Sequence, residues 1–195
     1  MTRRLVPANP RSNAKIETLA LNLIRCYQPA VLSHGEQFDI ERFFDVYLEE
    51  LTGVETDYQR LEVGIYGYTD SDEMVCVISQ DLAEDPWSKY FYRSTMAHET
   101  GHALMHVSDY RQKKAIIRSI HKKDHGNLRT YRESDIVLYR NPEWQAWRFA
   151  GALLMPAPAF EEAVRSGVTE RDLSQRFGVN PKFVKTRLKS LKLKL

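Results

Sequence analysis

The spacing of apolar positions divides the chain into segments with different periods. In KIETLALNLIRCY (residues 15–27), Ile16, Leu19, Ala20, Leu23 and Ile24 recur at helical spacing, predicting a first helix. FDIERFFDVYLEELT (residues 38–52) predicts a second, with Asp39 as N-cap, Arg42, Phe43, Val46 and Tyr47 following, and Gly53 as the stop. From Val54 to Ser79 the pattern shortens. Gly64, Gly67 and the cluster Thr69-Asp70-Ser71-Asp72 punctuate β-prone runs such as LEVGIYGY and MVCVIS, predicting two or three short strands with a turn near residues 69–73. A helix starting near Phe91–Thr95 is expected to run to about Val107.

Residues 108–142 read as a polar, basic connection with room for a helix over RQKKAIIRSIHKK. Asn141-Pro142 opens another helix, because proline at the first helical position lacks an N–H that would be unpaired there anyway. That helix, EWQAWRFAGALLM, stops at Pro156 and Pro158. The last 30 or so residues read helix–turn–helix: TERDLSQRF, GVN, PKFVKTRLKSL. Leu173, Phe177, Val179, Phe183, Val184 and Leu188 supply its apolar face. The expected fold class is α+β: helices packed on a small mixed β-sheet, followed by a helical C-terminal module. The division is 1–160 for the first domain and 161–195 for a basic helix-turn-helix-like module packed on it.

Composition narrows the class. The 195 residues are 43% hydrophobic and 28% charged, as in a soluble globular protein. No stretch approaches the roughly 20 apolar residues of a membrane span, and MTRRLVPANPRSNAK has no apolar run after its basic residues, so neither a membrane nor a signal peptide is expected. Cys26 and Cys76 form no CxxC pair and lie in apolar runs, so both read as buried thiols in a reducing, cytoplasmic location. The net charge of +2 conceals an asymmetry: residues 1–106 sum to −8, and residues 165–195, with nine Lys/Arg and two Asp/Glu, to +7. A basic helix–turn–helix could meet DNA phosphates, although its second helix carries no Asn or Gln to read bases.

The chemistry concentrates in MAHETGHALMH (residues 96–106). Helical positions i and i+4 share a face, so His98 and His102 can aim one nitrogen each at a common metal. Glu99 lies on the flank of that face, where it can take a proton without ligating. Zinc needs a third protein ligand and keeps a fourth position for water or substrate; it lowers the pKa of that water to about 7 and polarises a scissile carbonyl. Gly101 between the histidines predicts a neighbouring backbone at close range, since glycine in a helix otherwise costs about 1 kcal/mol relative to alanine. The pentapeptide alone is equally compatible with an amphipathic helix.

The third ligand stays open at this level. Glu143 leads a helical stripe of Ala146, Trp147 and Ala150, which aims a carboxylate toward the core; it also suits the first turn of a helix electrostatically. Glu133, Asp135, His121 and His125 are rivals in the basic connection, the two histidines among Arg118, Lys122 and Lys123. His106, one turn beyond His102, reads as a capping or partly buried histidine, and Tyr90, Phe91 and Tyr92 as core rather than oxyanion-binding residues. Leu154-Met155-Pro156 reads as an apolar helix end.

RSTMAHETGHALMH resembles the R-F-T-x-A-H-E-x-G-H-x-x-x-H segment of the ImmA/IrrE family of metallopeptidases, and EWQAWRFAGALLMP resembles its E-x-E-A-N-x-F-A-x-x-L-L-M-P segment. LSQRFGVNPKFVKTRLKSL is similar to the family's closing L-A-x-x-F-x-V-S-x-x-x-V-x-x-R-L-x-x-L, and the blocks occur in the family's order over about residues 15–192. The resemblance implies zinc (Zn2+) held by His98, His102 and Glu143, with Glu99 as catalytic base. It implies a cytosolic protease whose protein substrate is a transcriptional repressor of the helix-turn-helix kind, from a mobile element or stress response. Three positions depart from the pattern. Gln145 stands where a second acidic residue is common, Trp147 where Asn or Asp is common, and the connection from His102 to Glu143 is longer and more basic. The competing class is a DNA- or protein-binding regulator with a structural or vestigial metal site.

Overall fold

The computed structural model describes residues 3–33, 35–120 and 127–195. The chain opens on β1 (Arg4–Leu5), which pairs antiparallel with the much later β5 (Tyr131–Arg132), and on α1 (Asn13–Tyr27), capped by Ser12, whose side chain accepts from the Lys15 N–H. The predicted face of α1 is buried through Ile16, Ala20, Leu23 and Ile24. Cys26 corrects the sequence reading: it is exposed, because it lies on the outer side of that amphipathic helix, while Cys76 is buried.

After α2 (Ala30–Ser33), the second predicted helix forms in three pieces: α3 (Ile40–Arg42), a π-helical stretch Phe43–Leu48, and α4 (Glu49–Thr52). Asp39 caps its start by accepting from the Arg42 N–H, and Gly53 closes it in the left-handed conformation (φ 70°) that glycine adopts freely. The three-stranded sheet has the order β2 (Glu55–Gln59), β4 (Val75–Ser79), β3 (Gly67–Asp70); β4 runs parallel to β2 and antiparallel to β3. Cys76, Val77 and Ile78 of the central strand are fully buried, which explains why its sequence is continuously apolar. LEVGIYGY is not one strand: a turn closed by the Ile65 N–H on the Glu62 carbonyl, with Gly64 at φ 92°, occupies its middle, and pairing starts only at Gly67.

The site helices follow α5 (Gln80–Glu84). Helix α6 (Lys89–His102) starts about one turn earlier than predicted and does not stop at Val107. It passes through a π-helical stretch, Ala103–Val107, into α7 (Ser108–Ile120), and this span contains no Gly or Pro to break it. The Asn141 side chain accepts from the Trp144 N–H at 3.1 Å and Pro142 occupies the first position of α8 (Pro142–Leu154), as the sequence predicted. Three helices close the chain: α9 (Ala157–Arg165), α10 (Glu170–Phe177) and α11 (Pro181–Leu191). Thr169 and Asp172 form a capping box on α10, and Gly178 (φ 62°) ends it.

The fold is thus α+β with a helical C-terminal part. One hydrophobic cluster joins α1, the sheet, α6, α8 and the C-terminal helices, including Leu173, Phe177, Val179, Phe183 and Val184. The buried Arg187 of α11 makes a two-pronged ion pair with Glu17 of α1, and its Nε donates to the Met155 carbonyl at the end of α8 at 2.9 Å. One basic residue of the C-terminal segment therefore lies inside the fold rather than on its surface. No helix among the described residues is long and apolar enough to cross a membrane.

Candidate metal centre

Helix α6 crosses α8 at Gly101. A Cβ built there would lie 3.0 Å from Phe149 Cδ1, 3.3 Å from Ala146 Cα and 3.4 Å from the Ala146 carbonyl oxygen, so only glycine admits the neighbouring backbone this closely. His98 precedes Gly101 by three residues and His102 follows it by one, and Glu143 lies one turn before Ala146 on α8. The crossing therefore brings residues about 40 positions apart to one point. His98 Nε2 and His102 Nε2 lie 3.1 Å apart; Glu143 Oε2 is 3.4 Å from the first and Oε1 3.5 Å from the second. Among the described residues this is the group of His, Cys, Asp and Glu side chains that could hold a metal ion.

The donor set fits zinc on its own terms. Ligand distances of 2.0–2.1 Å in a tetrahedron put neighbouring donors about 3.3–3.4 Å apart, close to all three separations. Two imidazole nitrogens and a carboxylate facing one another also hold more lone pairs than protons, which a cation resolves.

Glu99 is buried beside this group but turns to the sheet. Its Oε2 accepts from Thr69 Oγ1 of β3 at 2.8 Å. Gly67, on the same edge strand, makes room: a Cβ there would meet Glu99 Cγ and the Val77 carbonyl oxygen, both at 3.0 Å. Burial pushes the Glu99 carboxyl up from its ordinary value, against the opposing effects of His98 and the Thr69 hydrogen bond. Burial opposes charge on Glu143 as well, but hydrogen bonds and charges from His98 and Arg3 outweigh it and hold its pKa low. Arg3 Nη2 reaches Glu143 Oε1 at 3.0 Å. Burial, with His106, His98 and Arg3, pushes His102 well below the ordinary histidine range, so it is neutral and able to ligate.

The rivals are placed elsewhere. Glu133 accepts from Asn141 Nδ2 at 3.3 Å, and Asp135 is exposed beside Ser134. His121 and His125 lie outside the described residues. The Tyr92 hydroxyl meets Tyr58 at 3.3 Å, Phe91 packs edge-on against Tyr66, and Met155 is core. His106 is almost wholly buried and caps nothing; its Nδ1 lies 3.0 Å from His102 Nδ1 and its Nε2 3.0 Å from Gln145 Oε1. Trp147 lays its ring over His98, with centroids 4.3 Å apart. A cleft of about 520 Å³ opens at the group, lined by His102, Glu143, Thr69 and Asp70 and on another side by Arg4–Val6.

The Peptidase_M78 family, described as the IrrE N-terminal-like domain, matches residues 82–189, just over half of the chain. The chain belongs to the IrrE N-terminal-like family. The matched span of this IrrE-like chain begins just before α6 and ends in α11, so it contains the whole group. A solved structure described as a Mycobacterium tuberculosis transcriptional regulator is similar at a TM-score of 0.57 and 18% sequence identity. The similarity covers 90% of this chain and 46% of that one, so the IrrE-like chain spans about half the length of the structure it matches. At that identity the likeness is one of fold. No curated protein matches the IrrE-like chain.

Sequence reasoning missed Thr69 and the use made of Gln145. One signal could have pointed to β3: a glycine inside a strand marks a close approach, and Gly67 is such a glycine.

Proposed function

We propose that the chain is a zinc-dependent metalloendopeptidase acting on a regulatory protein such as a helix-turn-helix repressor. The convergence of His98, His102 and Glu143, with Glu99 buried alongside but outside the set, carries the reading. His98, His102 and Glu143 would hold the ion. Zinc supplies Lewis acidity there, polarising a peptide carbonyl and lowering the pKa of water. Glu99 is the general base: Thr69 holds Oε2, leaving Oε1 to take a proton and pass it to the leaving amine, and its raised pKa moves it toward the neutral range where such transfers are efficient. Residues 161–195 are a helical module packed on the domain of residues 1–160, where Arg187 and Phe183 back α8 from behind.

A regulatory substrate accords with the description of the similar structure as a transcriptional regulator. That description and the +7 charge of residues 165–195 also favour a second reading, a DNA- or protein-binding regulator with a structural metal. Zinc content tests the metal centre, and cleavage separates the two readings. Purified protein should carry one zinc, lost in His98→Ala and strongly reduced in Glu143→Ala; full retention in Glu143→Ala moves the third ligand elsewhere. The wild-type chain should cleave a co-encoded repressor, and Glu99→Gln should abolish cleavage while keeping zinc. Salt-sensitive DNA binding by the full chain without any cleavage would favour the regulator.

A further inference from the structure

His106 has no role in ligation, yet its surroundings dictate which of its nitrogens carries a proton. Gln145 is the starting point, with no solvent exposure. One end of its amide lies 2.9 Å from the Asn9 carbonyl oxygen and 2.8 Å from that of Tyr139. Both partners only accept, so this end is the NH2 and the other is the oxygen. That oxygen receives the Arg11 guanidinium at 3.3 Å and stands 3.0 Å from His106 Nε2. Because an amide oxygen only accepts, His106 Nε2 carries a hydrogen. A second proton on this buried ring would be a charge with no carboxylate in hydrogen-bond contact among the described residues, so its Nδ1 has a lone pair and no proton. This Nδ1 is 3.0 Å from His102 Nδ1, which must therefore be the donor. His102 Nε2 is left bare, and it is the nitrogen that faces His98 and Glu143.

We propose that Gln145 and His106 form a positioning relay that fixes His102 as its Nδ1–H tautomer and presents a bare Nε2 before any metal arrives. The inference rests on the metal-centre reading above. Metal-bound histidines usually donate their second N–H to a carboxylate or carbonyl; here a neutral imidazole, itself oriented by a pinned amide, does that work. His98 differs. Its Nδ1 is buried without a hydrogen-bond partner among the described residues, so no contact on that side fixes its tautomer. Facing the bare His102 Nε2 at 3.1 Å and Glu143 Oε2 at 3.4 Å, His98 Nε2 carries the hydrogen in the metal-free chain. One ligand is pre-set and the other changes tautomer on binding.

The test reads tautomers directly in the metal-free, full-length wild-type chain, by two-bond 1H–15N correlation spectra at mildly alkaline pH. His102 should show a protonated Nδ1 and a bare Nε2, and His106 the reverse. A His102 protonated at Nε2, or a His106 protonated at Nδ1, overturns the relay. In zinc competition, His106→Leu should weaken binding by about 10- to 100-fold. His106→Asn, whose Oδ1 stands where the Nδ1 acceptor was, should recover most of that loss. Equal weakening in the two variants, with equal melting of their metal-free forms, also overturns it. The tautomers are read without metal, so they test the relay separately from the metal centre, which stands or falls on zinc binding by the wild-type chain.

Discussion

Gly101→Ala tests whether the packing of α6 on α8 sets the metal site. The added Cβ would stand 3.0 Å from Phe149 Cδ1 and 3.3 Å from Ala146 Cα. Carbon atoms rest about 3.5–4.0 Å apart, so roughly half an ångström must be found. Phe149 is fully buried and cannot swing into solvent, and the other obstacle is backbone, so the helices must part. Overpacking of this kind costs about 1–3 kcal/mol, while alanine returns about 1 kcal/mol of helix propensity. The expected net loss is about 1 kcal/mol, or roughly 2–4 °C in Tm for a chain of this size. Gly101→Val, bulkier and a poorer helix former, should lose about twice that. Because His98 and His102 flank Gly101 and Glu143 sits one turn from Ala146, parting the helices also lengthens the histidine–carboxylate separations. Zinc affinity should therefore fall in the still-folded Ala variant. Thermal melts with and without zinc, and chelator competition, measure both effects. A Gly101→Ala chain that melts no lower than wild type and binds zinc as tightly would refute the argument.

Arg187→Leu should destabilise the chain by about 3–5 kcal/mol, because Glu17 is left as a nearly buried, unpaired charge; the melt should fall by roughly 6–20 °C, and adding Glu17→Leu should restore most of it, whereas a single-variant loss under about 2 °C would mean the pair does not hold α11 to α1. Thr69→Val frees Glu99 Oε2 from its hydroxyl donor and should slow peptide cleavage at least about 10-fold with zinc content unchanged, since hydrogen bonds to charged groups contribute about 1.5–3 kcal/mol; undiminished turnover would show that the strand does not orient the base. Cys26 should react with a thiol reagent in the native chain, and Cys76 only on unfolding, because burial and the Glu99 charge push the Cys76 thiol up; two equivalents reacting at equal rates would contradict the burial of β4.

What was legible in the sequence was local. Asp39 and Asn141-Pro142 announce helix starts because a cap is a contact within three residues. His98 and His102 announce a shared face because helical geometry alone puts i and i+4 together. The failures were local signals overruled by their surroundings. LEVGIYGY has strand composition, but a turn at Gly64 divides it, and Cys26 belongs to an apolar run yet faces outward. Gly101 marks a close approach, though not what approaches, whereas Gly67 reads in the sequence only as a break between β-prone runs.

Only the tertiary structure decided the rest. Glu143 meets the histidines because α6 and α8 cross where a side chain is missing. Thr69 reaches Glu99 from an edge strand some 30 residues earlier. His106 has its tautomer dictated through Gln145 by Asn9 and Tyr139, which no periodicity links to it. The physical reason is range. Caps and helical faces are determined within about four residues by backbone geometry. The pairing of buried donors with acceptors is determined by which elements pack together, and there each unpaired polar atom carries a penalty that only a partner from elsewhere in the chain removes.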